Sequence, residues 1–180
     1  MSAVLILIVF LTGLLSKAVY AGPPFFTDDP VPVEYKHTEI YVASTYIREK
    51  GGSSSGSLPM LDMNYGILPN LHAHVTTPFN FNHAKENGRT DYGYGDTELG
   101  FKYRLIHERR LIPHVAIYPL AELPTGNSKR GLGAGKAQLF LPLWLQKSWG
   151  PWSSYGGAGY WFNPGEGNKN WTYLGAILFS

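Results

Sequence analysis

Apolar and polar residues alternate with period two over several stretches of this chain, and helical spacing never competes with that pattern for long. From Leu61 to Ile67 the odd positions Leu61, Met63, Tyr65 and Ile67 are apolar, with Asp62, Asn64 and Gly66 between them. From Leu71 to Phe81, Leu71, Ala73, Val75, Phe79 and Phe81 alternate with His72, His74, Thr76 and Asn80. Leu68-Pro69-Asn70 joins the two runs, which predicts a hairpin. Gly93 to Ile106 sets Leu99, Phe101, Tyr103 and Leu105 against Asp96, Glu98, Lys102 and Arg104. Lys136 to Gln146 sets Ala137, Leu139, Leu141, Leu143 and Leu145 against Lys136, Gln138, Phe140, Pro142, Trp144 and Gln146. Successive strand side chains point to opposite faces, so each run presents one apolar and one largely polar face. Weaker alternation predicts strands at Glu39–Arg48, Ile112–Ala121, Trp152–Phe162 and Trp171–Phe179, for a total of about eight.

The connections sharpen the class. Long polar stretches at Glu49–Ser57, Asn82–Thr90, Glu122–Gly135 and Asn163–Asn170 alternate with short ones at Leu68–Asn70, His107–Leu111 and Lys147–Pro151. Outer-membrane barrels have short periplasmic turns and longer outer loops, and the order here puts the mature N-terminus on the periplasmic side. Aromatic residues gather near strand ends (Tyr46, Tyr65, Phe79, Tyr92, Trp149, Trp152, Trp161, Trp171), as at the lipid headgroup zone. A strand-built protein in hydrocarbon has to close on itself to pair its backbone groups. The expected fold is therefore all-β, an antiparallel up-and-down transmembrane β-barrel of about eight strands whose interior side chains can fill.

Residues 1–21 read differently. Val4 to Leu15 is an apolar run broken only by Thr12 and Gly13, too short to span a bilayer but suited to the core of a signal peptide. Val19-Tyr20-Ala21 supplies small-residue cleavage chemistry, although the usual basic start is missing. The expected division is a leader over 1–21, a periplasmic N-terminal segment over 22–37 and the barrel over 38–180. Removing Lys17 from 15 basic residues against 13 acidic ones leaves the mature chain near neutral, which implies no nucleic-acid partner. With no cysteine, an exported chain of this size cannot rely on disulfides. Its 21 glycines and aromatic content of 14% disfavour helices and favour strands.

Particular motifs add a resemblance. Thr27-Asp28-Asp29-Pro30, Gly93-Tyr94-Gly95-Asp96-Thr97, Leu123-Pro124-Thr125-Gly126 with Gly131-Leu132-Gly133, Leu141-Pro142-Leu143-Trp144 with Gln146-Lys147, and Tyr155-Gly156-Gly157-Ala158-Gly159-Tyr160-Trp161 stand along nearly the whole mature chain. Together they resemble the outer-membrane proteins grouped as the meta-pathway phenol-degradation (MetA) family. The resemblance implies an outer-membrane barrel with a role in uptake of small, often aromatic, carbon sources, and it supplies no catalytic residues. It also implies further strands after Ser180, so a truncated member of a larger barrel is the expectation. Tyr173, Ile177 and Phe179 argue the other way, since they resemble the alternating aromatic ending of a complete barrel.

Candidate chemistry is sparse. Asp96 and Glu98 could share acid and base duties if burial separated them, but Lys102 and Arg104 on the same face favour ion pairing. His72 and His74 point the same way and have no third metal ligand nearby in sequence, so a polar interior row is the better reading. Gly131–Lys136 fails the phosphate-loop pattern at Arg130 and Ala137, and reads as a flexible outer loop. The serines at 53–55 lack nucleophile-elbow spacing. Phe140 and Trp144 on an otherwise polar face suggest an apolar patch that could touch an aromatic solute, or simply fill a narrow bore. The candidates for lining the interior are thus His72, His74, Asp96, Glu98, Lys102, Arg104, Gln138, Phe140 and Trp144, with no catalytic, cofactor or metal residues assigned. The resulting expectation is an outer-membrane channel for small solutes with outer-membrane lipid as its partner. Alternatives are a soluble periplasmic ligand-binding barrel with the opposite facing, and an outer-membrane lipid hydrolase.

Overall fold

The computed structural model describes residues 28–164 and 170–179, and the leader expected over 1–21 lies outside them. Among the described residues, ten strands form one antiparallel sheet: β1 (Thr38–Arg48), β2 (Ser54–Leu68), β3 (Leu71–Ala84), β4 (Arg89–Tyr94), β5 (Thr97–Ile106), β6 (His114–Ile117), β7 (Leu120–Leu123), β8 (Gln138–Trp149), β9 (Trp152–Phe162) and β10 (Trp171–Phe179). The main path runs β1-β2-β3-β5-β6-β8-β9-β10, an up-and-down meander of eight positions. The two extra strands come from breaks in predicted ones. β4 and β5 both pair with β3 and are separated at Gly95-Asp96, while β6 and β7 both lie between β5 and β8 and are separated at Tyr118-Pro119. Pro119 has no N–H to give a ladder, which accounts for the second break. Among the described residues β1 pairs only with β2, and β10 only with β9.

Among the described residues no second sheet or helical layer covers this sheet, yet one face is buried, so the sheet curls around that face. The alternation sets which face it is. Phe101 is 54% exposed and its neighbour Lys102 only 4%, and Leu141 is 45% exposed against 2% for Trp144. Ile40, Val42, Met63, Tyr65, Leu99, Leu139, Leu143 and Leu145 all point outward. Asn64, His72, His74, Thr76 and Lys102 are buried inside.

Two expectations need correction. The connections expected to be long at Glu49–Ser57 and Asn82–Thr90 shrink to 49–53 and 85–88, because β2, β3 and β4 continue past the alternating residues through Ser, Asn and Thr, whose backbones pair as well as any. Trp161 and Trp171, expected among the outer-end aromatics, share the inner face through the register with Phe140 and stack on each other at 5.8 Å. Tyr173, Ile177 and Phe179 share that inner face, in line with Gly159, Tyr155 and Ser153.

Candidate functional site

The inner face is built in rows by the ladder register. One row runs Asn64, His74, Gly100, Leu120, Phe140, Trp161, and the next Asp62, Thr76, Glu98, Glu122, Gln138. The β2–β5 side of these rows is polar. His74 is its hub: Nδ1 lies 2.9 Å from Asn64 Oδ1 and 3.2 Å from Asp62 Oδ1, and Nε2 lies 3.0 Å from both Glu98 Oε1 and Thr76 Oγ1. A carboxylate thus stands at each ring nitrogen. Asn64 Nδ2 donates to Asp62, closing the group.

The N-terminal segment enters this polar half. Lys102 Nζ pairs with Asp28 at 2.8 Å and sits 4.9 Å over the Tyr118 ring. Val33 N–H donates to His72 Nδ1 at 3.0 Å, Pro30 is fully buried, and Tyr35 forms a parallel bridge to Gly66. Burial pushes the Asp29 carboxyl above its ordinary pKa, with Lys102 opposing the shift. Since His72 Nδ1 accepts, the neutral ring carries its proton on Nε2, and that N–H has no partner among the described residues. Tyr118 meets both His72 and His74 edge-on, at 5.5 and 5.6 Å between ring centroids.

The β8–β10 side is aromatic. Phe140 lies 5.0 Å from Trp161 and 6.3 Å from Tyr173, and Trp144 lies 5.7 Å from Tyr173. Glycine makes room for these rings: a Cβ on Gly159 would fall 2.5 Å from Phe140 Cε2. Trp161 Nε1 donates to Gln138 at 2.6 Å, and Gln138 donates on to Glu122 at 3.2 Å, which ties the two sides together. Trp144 Nε1 is buried without an acceptor among the described residues.

Segment 124–137 departs from its expected character. It is folded back onto the inner side of β3 and β4 and held there. The buried Asp96 carboxylate accepts the Gly126 and Ala134 N–H groups, Asn80 Nδ2 donates to Leu132 O at 3.1 Å, and Asn82 Nδ2 to Arg130 O at 3.2 Å. Arg130 pairs with Asp91 at 2.8 Å, the Thr125 hydroxyl donates to Gly95 O, and Leu132 is 1% exposed. The glycines that suggested flexibility serve close approach instead, since a Cβ on Gly133 would lie 2.3 Å from Asp96 Oδ1.

The nine candidate residues all face inward, in distinct settings. His74 and Glu98 join the hub, Lys102 and His72 meet the N-terminal segment, and Gln138 links the two walls. Phe140 and Trp144 form the aromatic wall, and Asp96 holds the long loop. Arg104, half-buried, donates to Asn70 Oδ1 at 3.2 Å. Sequence reasoning missed Tyr118, Asp62, Glu122 and the ingoing Asp28–Val33. No group of His, Cys, Asp or Glu among the described residues is arranged to hold a metal ion.

This architecture, one antiparallel sheet curled around a polar and aromatic interior with leucines outside, belongs to the all-β class. The chain matches the family described as "Putative MetA-pathway of phenol degradation" over residues 38–169 and belongs to that family. No curated protein matches it.

Proposed function

We propose that this protein is an outer-membrane β-barrel through which small aromatic solutes diffuse, without catalysis or cofactor. The observation that carries the reading is the inverted facing. In water, burying Lys102 and His74 while exposing Leu99, Phe101, Leu139, Leu141, Leu143 and Leu145 runs against the hydrophobic effect. Against lipid tails the same arrangement is the stable one, because the outer side chains meet hydrocarbon and the strands satisfy one another's backbone groups. Closure of the ladder beyond β1 and β10 is part of this reading, since hydrocarbon offers an open edge no partner. A soluble ligand-binding barrel would need the opposite facing.

Two features favour an aromatic solute carrying an oxygen. Phe140, Trp144, Trp161 and Tyr173 offer ring faces and edges. Trp144 Nε1 and His72 Nε2 are buried donors with no acceptor among the described residues, and an orphaned donor costs about 1–3 kcal/mol that a solute oxygen or a water recovers. The His72 ring meets Tyr118 edge-on, and Trp144 shares a buried cluster with it. Family membership gives the same direction.

The test is fractionation of cells producing the full chain, followed by gels of unboiled and boiled envelope and by solute entry into liposomes. Envelope sedimentation, a heat-dependent shift in migration and faster entry of phenol than of a similar-sized sugar are expected. A chain recovered in the soluble fraction, with no shift, ends the membrane reading. Envelope protein that speeds the entry of neither solute ends the channel.

A further inference from the structure

The segment 124–136 has no role in the function proposed above, yet it is among the most heavily anchored connections in the molecule. It spends the side chains of Asp96, Asn80, Asn82 and Asp91 on its own backbone and on Arg130. Those four residues come from the inward side of β3, β4 and the β4–β5 break, where a wide bore would otherwise be lined by water-facing polar groups. An outer loop needed only as a connection has no reason to be bound this way, because in solvent each such bond merely replaces one to water.

We propose that this segment is a fixed constriction that sets the size limit for solutes, and that the Asp96 carboxylate is the positioning group that latches it. The proposal rests on the channel reading. Asp96 suits the role on geometry. It is 8% exposed, and it accepts two backbone N–H groups eight residues apart in the loop, Gly126 and Ala134, so that one carboxylate closes both ends of the turn that contains the Ser128–Arg130 helical turn. Gly133 permits the approach, and Leu132 closes against Gly93, whose Cβ would stand 3.1 Å from Leu132 Cδ1. The latch is a hydrogen-bonded carboxylate on a backbone loop, so its release opens the bore without breaking any strand pairing.

Two variants test it in the full chain refolded into liposomes. Asp96→Ala removes the latch. Gly133→Ala leaves Asp96 in place and drives a methyl group into it. Amide hydrogen exchange and liposome swelling are read on the same preparations, with arabinose as the small solute and stachyose as the large one. In the wild type, amides of 126–134 should exchange at least tenfold more slowly than those of the 85–88 turn. In both variants that protection is lost while β8 and β9 stay protected, and stachyose entry relative to arabinose rises at least threefold. Wild-type exchange as fast as in the 85–88 turn overturns the proposal, and this measurement needs no variant to fold. Released loops with an unchanged solute ratio overturn it as well. Wild-type liposomes that admit neither sugar nor phenol remove the channel reading and the size limit together, arabinose entry with a released loop and an unchanged ratio removes the size limit alone, and a loop that stays protected in both variants overturns Asp96 as the latch.

Discussion

The inner face consists of two surfaces that solve the same problem in opposite ways. On the β2–β5 side the charged hub is held by named partners: His74 by Asp62, Asn64, Thr76 and Glu98, and Lys102 by Asp28. On the β8–β10 side Phe140, Trp144, Trp161 and Tyr173 are held by shape, with ring contacts at 5.0–6.3 Å and glycine beneath Phe140. A paired polar wall is specific and intolerant, because removing one member strands the others in a low-dielectric setting. An aromatic wall tolerates exchange of one ring for another, including a ring that arrives as solute. The donors of His72 and Trp144 that are unpaired among the described residues lie one on each wall, with Tyr118 edge-on to His72 and in one buried cluster with Trp144. Their place between the two surfaces is where a molecule with an apolar ring and one oxygen fits both.

The polar wall is the more fragile, and the largest expected effect is there. His74→Leu leaves Asp62 and Glu98 facing each other across an apolar side chain, and we expect a loss of about 3–5 kcal/mol, measured as a shift in the urea midpoint of the refolded protein. Adding Glu98→Gln to His74→Leu should recover part of that loss, since the second change removes a stranded charge. Additive losses in the pair would mean that His74 is held by packing against Tyr118 and not by its carboxylates.

The aromatic wall should answer in transport more than in stability. Trp144→Phe keeps a ring against Tyr173 and removes the unpartnered N–H, so its stability cost is expected to stay near 1 kcal/mol. If Nε1 donates to a solute oxygen, phenol entry relative to benzene should fall about fivefold, the equivalent of one ordinary hydrogen bond. Equal loss of phenol and benzene entry would assign Trp144 to bore shape alone. His72→Phe makes the matching change on the other wall, with the same readout and the same expected direction.

The two surfaces were also unequally legible in the sequence. Asp62/Met63, His74/Val75 and Lys102/Phe101 differ sharply from their neighbours, so period two assigned them a face at once, and the curled antiparallel sheet follows from those runs. Tyr160-Trp161-Phe162 carries an aromatic ring at every position, and no periodicity can say that Trp161 alone turns inward. Tyr118 stands before Pro119, where the ladder breaks and the alternation resets. Segment 124–137 looked loose because its anchors are remote: Asp96 and Asn80 lie 30 to 52 residues away in sequence, and only the folded sheet brings them to it. Its glycines signal close approach as readily as freedom, and composition alone does not separate the two.

An ion pair outside both walls gives the comparison its control and its smallest effect. Glu108, in the turn between β5 and β6, accepts from Lys147 Nζ and from the Ser148 N–H at 3.0 Å, and the bond to Lys147 holds its carboxyl below the ordinary glutamate pKa. A lowered pKa in the folded state means that the stabilisation is complete above the ordinary value and is lost as pH falls through the depressed one. The turn should therefore loosen only in acid, below about pH 4.5, and by less than ~1 kcal/mol, because water reaches the pair and salt screens it. Glu108→Gln should remove that acid dependence and leave the neutral-pH stability nearly unchanged. Tryptophan fluorescence of Trp149, close by on β8, followed against pH in wild type and variant, reads the difference. An acid transition of the same size in both proteins would move its origin to the carboxylates of the polar wall, and would mean that water reaches that wall as freely as it reaches the turn.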